Sequence, residues 1–218
     1  IVHLTTSFRT IINEAVADGN LTFNPFWGYE PERPQREQKY LTAEELELIM
    51  TTPLHNARLY IIRDLFLFSC YTGISYGDMC LLTKDDLVTD ENGTLWIRTS
   101  RKKTKVEYEV PLLEVPLHIL SKYRDVEPNG KLLPMYCNSD VNKYLKTIAT
   151  KCGINRRIVF HAARHTYATE ITLSHGVPLE TVSKMLGHTR VDTTQIYAKV
   201  TDDKINADTK RLDNKISE

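Results

Sequence analysis

Phe160-His161-Ala162-Ala163-Arg164-His165-Thr166-Tyr167-Ala168-Thr169 is the stretch from which the rest of the chain can be read, together with Leu186-Gly187-His188 and Tyr197 that follow it. His161 and Arg164 stand three residues apart, so on a helix they share a face. The small residues around them leave room for a bulky phosphate. Gly187 ends a helical pattern (Leu179, Val182, Met185, Leu186) and places His188 just past a helix terminus, where a side chain can be aimed into a cleft. A phenol, two imidazoles and a guanidinium suit phosphate chemistry better than metal binding. Tyr197 can attack phosphorus, Arg164 can hold two oxygens in its planar fork, and the histidines can carry protons. With a free pKa of roughly 10, the phenol needs a proton acceptor and a cationic pocket before it can act. The sequence has neither a carboxylate cluster for Mg²⁺ nor a glycine-rich phosphate loop. The set therefore points to covalent transfer of a phosphodiester.

Composition agrees with this and narrows the class. The 218 residues, 41% hydrophobic and 26% charged, suffice for one good core with a small appendage. The longest apolar run, Leu59 to Cys70, is broken by Arg63 and Asp64 and is too short to span a bilayer, so no membrane partner is expected. No signal peptide is visible, and the missing initiator Met reads as a fragment. Cys70, Cys80, Cys137 and Cys152 form no C-x-x-C pair and read as reduced core thiols of a cytosolic protein. Net charge is zero, yet residues 93–164 carry fourteen Lys and Arg against six Asp and Glu. One basic face can hold a polyanion on a neutral protein.

Periodicity divides the chain. Residues 1–27 read as a helix and its exit, the remnant of an N-terminal domain, and residues 28–40, with Pro31 and Pro34, as a linker. From 41 to 200 the pattern is α+β and mainly α-helical, with a small antiparallel β-hairpin. Thr42 and Glu45 form a capping box opening a helix that Pro53 stops, and a second, apolar helix from Arg58 to Tyr71 is closed by Gly73. Two strands, 95–99 and 106–110, are joined by a basic tip, Ser100 to Lys105. Helical patterns recur near 114–124, 139–151, 161–174, 179–187 and 192–200, and the mixed-charge segment 201–218 reads as a tail helix. Five basic residues (Arg98, Arg101, Lys102, Lys103 and Lys105) make the hairpin a candidate grip on phosphates. Residues 166–188 also read as a helix-turn-helix, which supplies an alternative: a non-enzymatic DNA-binding regulator.

Lys103, His161-x-x-Arg164, His188 and Tyr197 together resemble the active site of the tyrosine recombinase (phage integrase) family, in its order and at its spacing. The resemblance covers about Tyr40 to Val200, that family's catalytic domain. Tyr71-Thr72-Gly73-Ile74-Ser75-Tyr76-Gly77-Asp78 and the Lys103 hairpin look most like integrases of Bacteroides-type conjugative transposons and related mobile elements. The resemblance implies a site-specific recombinase that cleaves and rejoins DNA through a 3′-phosphotyrosine, with no metal, ATP or other cofactor. It assigns Tyr197 as nucleophile, Arg164 to the non-bridging oxygens and Lys103 to protonation of the departing 5′-oxygen. His161 receives the tyrosyl proton and His188 bonds the phosphate. The implied partners are double-stranded DNA and a synaptic homotetramer, with room for accessory DNA-bending proteins. The implied setting is the bacterial cytoplasm.

One position departs from the family pattern. Where the family has an arginine three residues before the acidic position of Asp78, this chain has Ser75. The phosphate would then meet one fixed guanidinium instead of two. Arg63, the arginine inside the apolar helix just upstream, is the expected substitute.

Overall fold

The computed structural model describes residues 2–29, 40–124 and 130–197 together with Thr209. The linker expected at 28–40 and the tail at 201–218 therefore fall largely outside the described residues. The chain divides into two compact units, Ile1–Glu37 and Gln38–Glu218. In the first, helix α1 (Val2–Ala17) is followed by a turn in which Phe26 packs edge-on against Phe8 and Tyr29. Phe23 and Trp27 stay exposed.

The second unit is mostly helical around one three-stranded antiparallel sheet. Its centre is α3 (Ala57–Thr72), whose side chains Ile62, Leu65, Phe66 and Phe68 are fully buried. Asn56 caps its first turn by accepting from the Arg58 amide, and Gly73 ends it in the left-handed conformation. Around α3 pack α2 (Ala43–Thr51), α5 (Glu114–Tyr123), α6 (Asn138–Lys151) and α7 (Ala162–Thr166). The Thr42–Glu45 capping box is formed as the sequence predicts. Arg156 grips the Glu45 carboxylate with two nitrogens, at 3.0 and 2.6 Å, and also donates to the Tyr40 carbonyl. The start of the unit is thereby tied to the approach to α7, and the Leu41 amide donates to Thr166 Oγ1 at 2.9 Å.

A short α4 (Tyr76–Met79) leads to the sheet, formed by β1 (Leu87–Thr89), β2 (Leu95–Ser100) and β3 (Glu107–Pro111) in that order. The hairpin is present, with Thr99 opposite Tyr108, and β1 is an additional edge strand. The predicted helix over 161–174 is one α-turn, α7, followed by a π-helical turn (Tyr167–Thr172) and a 3₁₀ turn. α8 (Leu179–Met185) then packs against β3, and α9 (Asp192–Gln195) stops short of Tyr197, which lies in the following turn. Cys70 and Cys152 are buried, but Cys80 is only half-buried and Cys137 is exposed, so two of the four cysteines are core thiols. Among the described residues no helix is long and apolar enough to cross a membrane.

Candidate active site

Arg164 comes from α7, where Ala162 and Ala163 let the helix pack closely and carry the guanidinium inward until only 2% of the residue is exposed. Its Nη1 donates to the Gly73 carbonyl at 2.8 Å, and its Nη2 donates to the Leu186 carbonyl. The same nitrogen lies 3.0 Å from His188 Nε2. Two helix ends therefore present carbonyls to one cation. A side chain at Gly73 would collide with the Tyr167 ring and Leu186, so the approach that offers its carbonyl needs glycine. Burial, and then the neighbouring Arg101, lower the Arg164 pKa to about 10, which leaves it charged near neutrality.

His188 follows Gly187, whose φ of +62° turns the chain out of α8. Its Nδ1 is 2.7 Å from Thr194 Oγ1, and Thr194 is fully buried. Burial first, then the charges of Arg164 and Arg101, push the imidazole down to about 4. A neutral ring whose Nε2 accepts from Arg164 carries its proton on Nδ1 and donates it to Thr194.

The Tyr197 ring stacks on His188 with 6.3 Å between centroids and an 8° interplanar angle. It is 7% exposed. Burial raises its pKa, and Arg164 and then Arg101 pull it part of the way back. The edge of its ring meets His165 at 4.9 Å, and His165 meets His161 at 4.8 Å. Thus the structure brings Arg164, His188 and Tyr197 together, while His161, exposed at the start of α7, is one ring removed from the phenol. His165 fills the gap and was not singled out from the sequence. The signal was there, since i and i+4 positions share a helix face.

The hairpin residues separate. Lys103 is exposed on the turn at 102–104, and no contact joins it to Arg164, His188 or Tyr197. Lys102 and Lys105 are likewise exposed, and Arg98 pairs with Glu109 at 3.2 Å on the surface. Arg101 does something different. It turns inward, its Nη1 donates to the Leu186 carbonyl at 2.9 Å, and its Nε lies 3.0 Å from Asp78 Oδ2. Asp78, 3% exposed, also accepts from the Ser75 hydroxyl and the Lys102 amide, each at 2.8 Å. The Leu186 carbonyl thus receives both Arg164 and Arg101.

Arg63 does not fill the place left by Ser75. Its guanidinium donates to the Thr52 carbonyl at 2.9 Å and lies 4.8 Å from the centre of the Tyr60 ring. It stands ten residues before Gly73, about 15 Å back along α3, so its side chain serves the α2–α3 connection. The second cation in the hollow is Arg101.

Comparison with known proteins gives the family. Residues 39–204 match the phage integrase family. The tyrosine recombinase XerD of Listeria monocytogenes is 30% identical over 212 residues, covering 89% of this chain and 69% of the relative. The tyrosine recombinase XerC of Neisseria gonorrhoeae is 29% identical over 80% of this chain and 59% of its own length. The fold is shared with the Tn1549 transposon integrase in complex with a circular intermediate DNA (TM-score 0.72, 18% identity, 94% of this chain and 77% of that one). It is also shared with a lambda integrase dimer bound to a COC′ core site (TM-score 0.68, 18% identity, 90% and 73%). The chain belongs to the phage integrase family of tyrosine recombinases, enzymes that transfer DNA strands.

Proposed function

We propose that the chain cleaves and rejoins double-stranded DNA at a specific site through a 3′-phosphotyrosine, integrating or excising a mobile element. The observation that carries this is the stacking of the Tyr197 phenol on His188, which in turn is bonded to Arg164. In the forward step the Tyr197 oxygen bonds to phosphorus and the bond from phosphorus to the 5′-oxygen breaks. The tyrosyl proton passes to the His165–His161 pair, and Lys103, brought in with the hairpin, protonates the leaving 5′-oxygen. Attack by another 5′-hydroxyl reverses these steps and restores the phenol, so the phosphodiester energy is conserved and no metal or nucleotide cofactor is consumed.

Arg164 and Arg101 hold the two non-bridging oxygens. Arg101 takes the role of the arginine missing at Ser75, and Asp78 fixes it. The Tn1549 neighbour is a transposon integrase, which fits a conjugative-transposon origin and a bacterial, DNA-associated setting. A related lambda integrase forms a tetramer on a Holliday junction. Four copies of this chain on two duplexes are the corresponding assembly. The regulator alternative is not favoured: it gives no reason for a phenol against a buried cationic hollow, and α8, its would-be recognition helix, is seven residues packed on β3.

A nicked suicide duplex, drawn from a randomised pool, tests the reading. An SDS-resistant adduct is expected, absent in Tyr197→Phe. Reversible binding without any adduct would return the protein to the regulator class.

A further inference from the structure

Tyr108 has a buried hydroxyl that the reaction above does not use. The residue lies on the inward face of β3, opposite Thr99, and is 4% exposed. Among the described residues three buried side-chain polar atoms lack a hydrogen-bond partner: Arg63 Nε, Arg101 Nε and the Tyr108 hydroxyl. Two of the three meet at one corner of the catalytic hollow. Arg101 Nε is ion-paired to Asp78 at 3.0 Å, but at an angle that makes no hydrogen bond. The Tyr108 phenol is held protonated by burial, then by the nearby Asp78 charge and a hydrogen-bonding interaction with that carboxylate, toward which a phenol O–H can only donate. Over the α-carbon of Gly187 its ring and the Arg101 stem stand side by side: a β-carbon there would lie 2.9 Å from Arg101 Cγ and 3.0 Å from Tyr108 Cδ1.

Asp78 is the natural acceptor. A carboxylate offers about four lone-pair sites. The Ser75 hydroxyl, the Lys102 amide and the Arg101 ion pair take three of them. One is left for the Tyr108 hydroxyl, which already interacts with Asp78 without a hydrogen bond of good geometry.

We propose that Tyr108 is a positioning residue for the recombination reaction, its hydroxyl donating to Asp78 and so locking the carboxylate that aims Arg101 at the scissile phosphate. The inference rests on the recombinase reading and adds a residue that acts through Arg101 without touching the DNA. In this arrangement Tyr108, Asp78 and Gly187 form the seat, and Arg101 is the group seated.

Tyr108→Phe removes one oxygen and keeps the ring, so the packing against Gly187 survives. On the suicide duplex this variant is expected to form the tyrosyl adduct about tenfold more slowly at saturating DNA, with affinity unchanged. Arg101 is there to neutralise phosphate charge, so the deficit should vanish on a duplex whose scissile phosphate is replaced by an uncharged methylphosphonate. In the Arg101→Ala background, Tyr108→Phe should add nothing. A second measurement needs no DNA site: the Arg101 Nε–H, followed by NMR with a short non-specific duplex bound, should exchange with water at least tenfold faster in Tyr108→Phe than in the unaltered chain. An unchanged adduct rate, a deficit that persists on the methylphosphonate, a multiplicative loss in the double variant, or unchanged Nε–H exchange would each overturn the proposal. If the unaltered chain gives no adduct, the recombinase reading fails on its own, and the exchange measurement still decides Tyr108.

Discussion

Arg101 and Arg164 donate to the same oxygen, the carbonyl of Leu186. Two guanidinium groups converge on one dipole, and the carboxylate of Asp78 offsets only Arg101 directly. Their mutual repulsion shows in the lowered pKa of Arg164, where Arg101 is the second cause after burial. An anion placed between them would relieve it. The site is thus built for a charge that arrives with the substrate and grows in the transition state.

The first expectation follows. Arg101→Ala should slow adduct formation on the order of a hundredfold, the scale for removing one preorganised donor, with DNA affinity within a few-fold of the unaltered chain. Arg101→Lys should recover little. A point ammonium cannot reach Leu186 and Asp78 together as the planar fork does. Single-turnover cleavage and gel-shift titration measure the two effects separately.

Arg63 should behave in the opposite way. Its contacts are the Thr52 carbonyl and the Tyr60 ring. Arg63→Ala is expected to cost about 1–2 kcal/mol of stability in urea unfolding, the sum of a modest hydrogen bond and a cation–π contact. Adduct formation at saturating DNA should stay within about twofold. A hundredfold loss would return Arg63 to the catalytic hollow and remove the case for Arg101.

The contrast between these two arginines marks how far the sequence could be read. The capping box at Thr42, the end of α3 at Gly73, the hairpin and the convergence of Arg164, His188 and Tyr197 were legible, because each rests on local spacing or on a family pattern. The choice of Arg63 was not sound, because sequence shows that a charge sits in an apolar helix but not which end of the helix the hollow adjoins. Arg101 reads in the sequence as one of five hairpin cations that grip DNA phosphates. Its inward turn depends on Asp78, which approaches from α4 and is distant in sequence. Strand β1 is three residues long and carries no alternation to detect. The π-helical turn after α7 leaves the apolar periodicity nearly intact while shifting which carbonyls are paired.

His188 makes stability depend on pH in a definite direction. Its folded value of about 4 lies below the usual 6.5, so between those limits the unfolded chain binds the proton more readily. The contribution is complete above about pH 6.5 and is lost progressively as pH falls toward 4. Urea midpoints at pH 7, 6, 5 and 4.5 should drop, and His188→Gln should flatten that part of the curve. A profile identical in the two proteins would mean that the imidazole is not held neutral.

Thr194 fixes the tautomer on which this rests. It accepts the Nδ1 proton at 2.7 Å and is fully buried. Thr194→Val keeps the shape and removes the acceptor, leaving Nδ1 free to lose its proton to Nε2. The adduct rate should fall about tenfold, because Nε2 would then oppose the Arg164 donor with one of its own. DNA affinity should not change.

Gly187→Ala separates strain from obstruction. At φ +62° any β-carbon costs roughly 1–2 kcal/mol. Gly153, at φ +73°, has nothing within 4 Å of the position a β-carbon would take, so Gly153→Ala measures that cost alone. At Gly187 the new methyl would lie 2.9 Å from the Arg101 stem and 3.0 Å from the Tyr108 ring. Either the backbone shifts, taking the Leu186 carbonyl with it, or the two side chains are pushed away from Asp78. Both responses displace Arg101 from its acceptors. Gly187→Ala should therefore lose stability by an amount comparable to or somewhat above Gly153→Ala, yet alone form adduct at least tenfold more slowly. Equal adduct rates in the two variants would show that the chain tolerates a looser seat for Arg101 than its contacts imply.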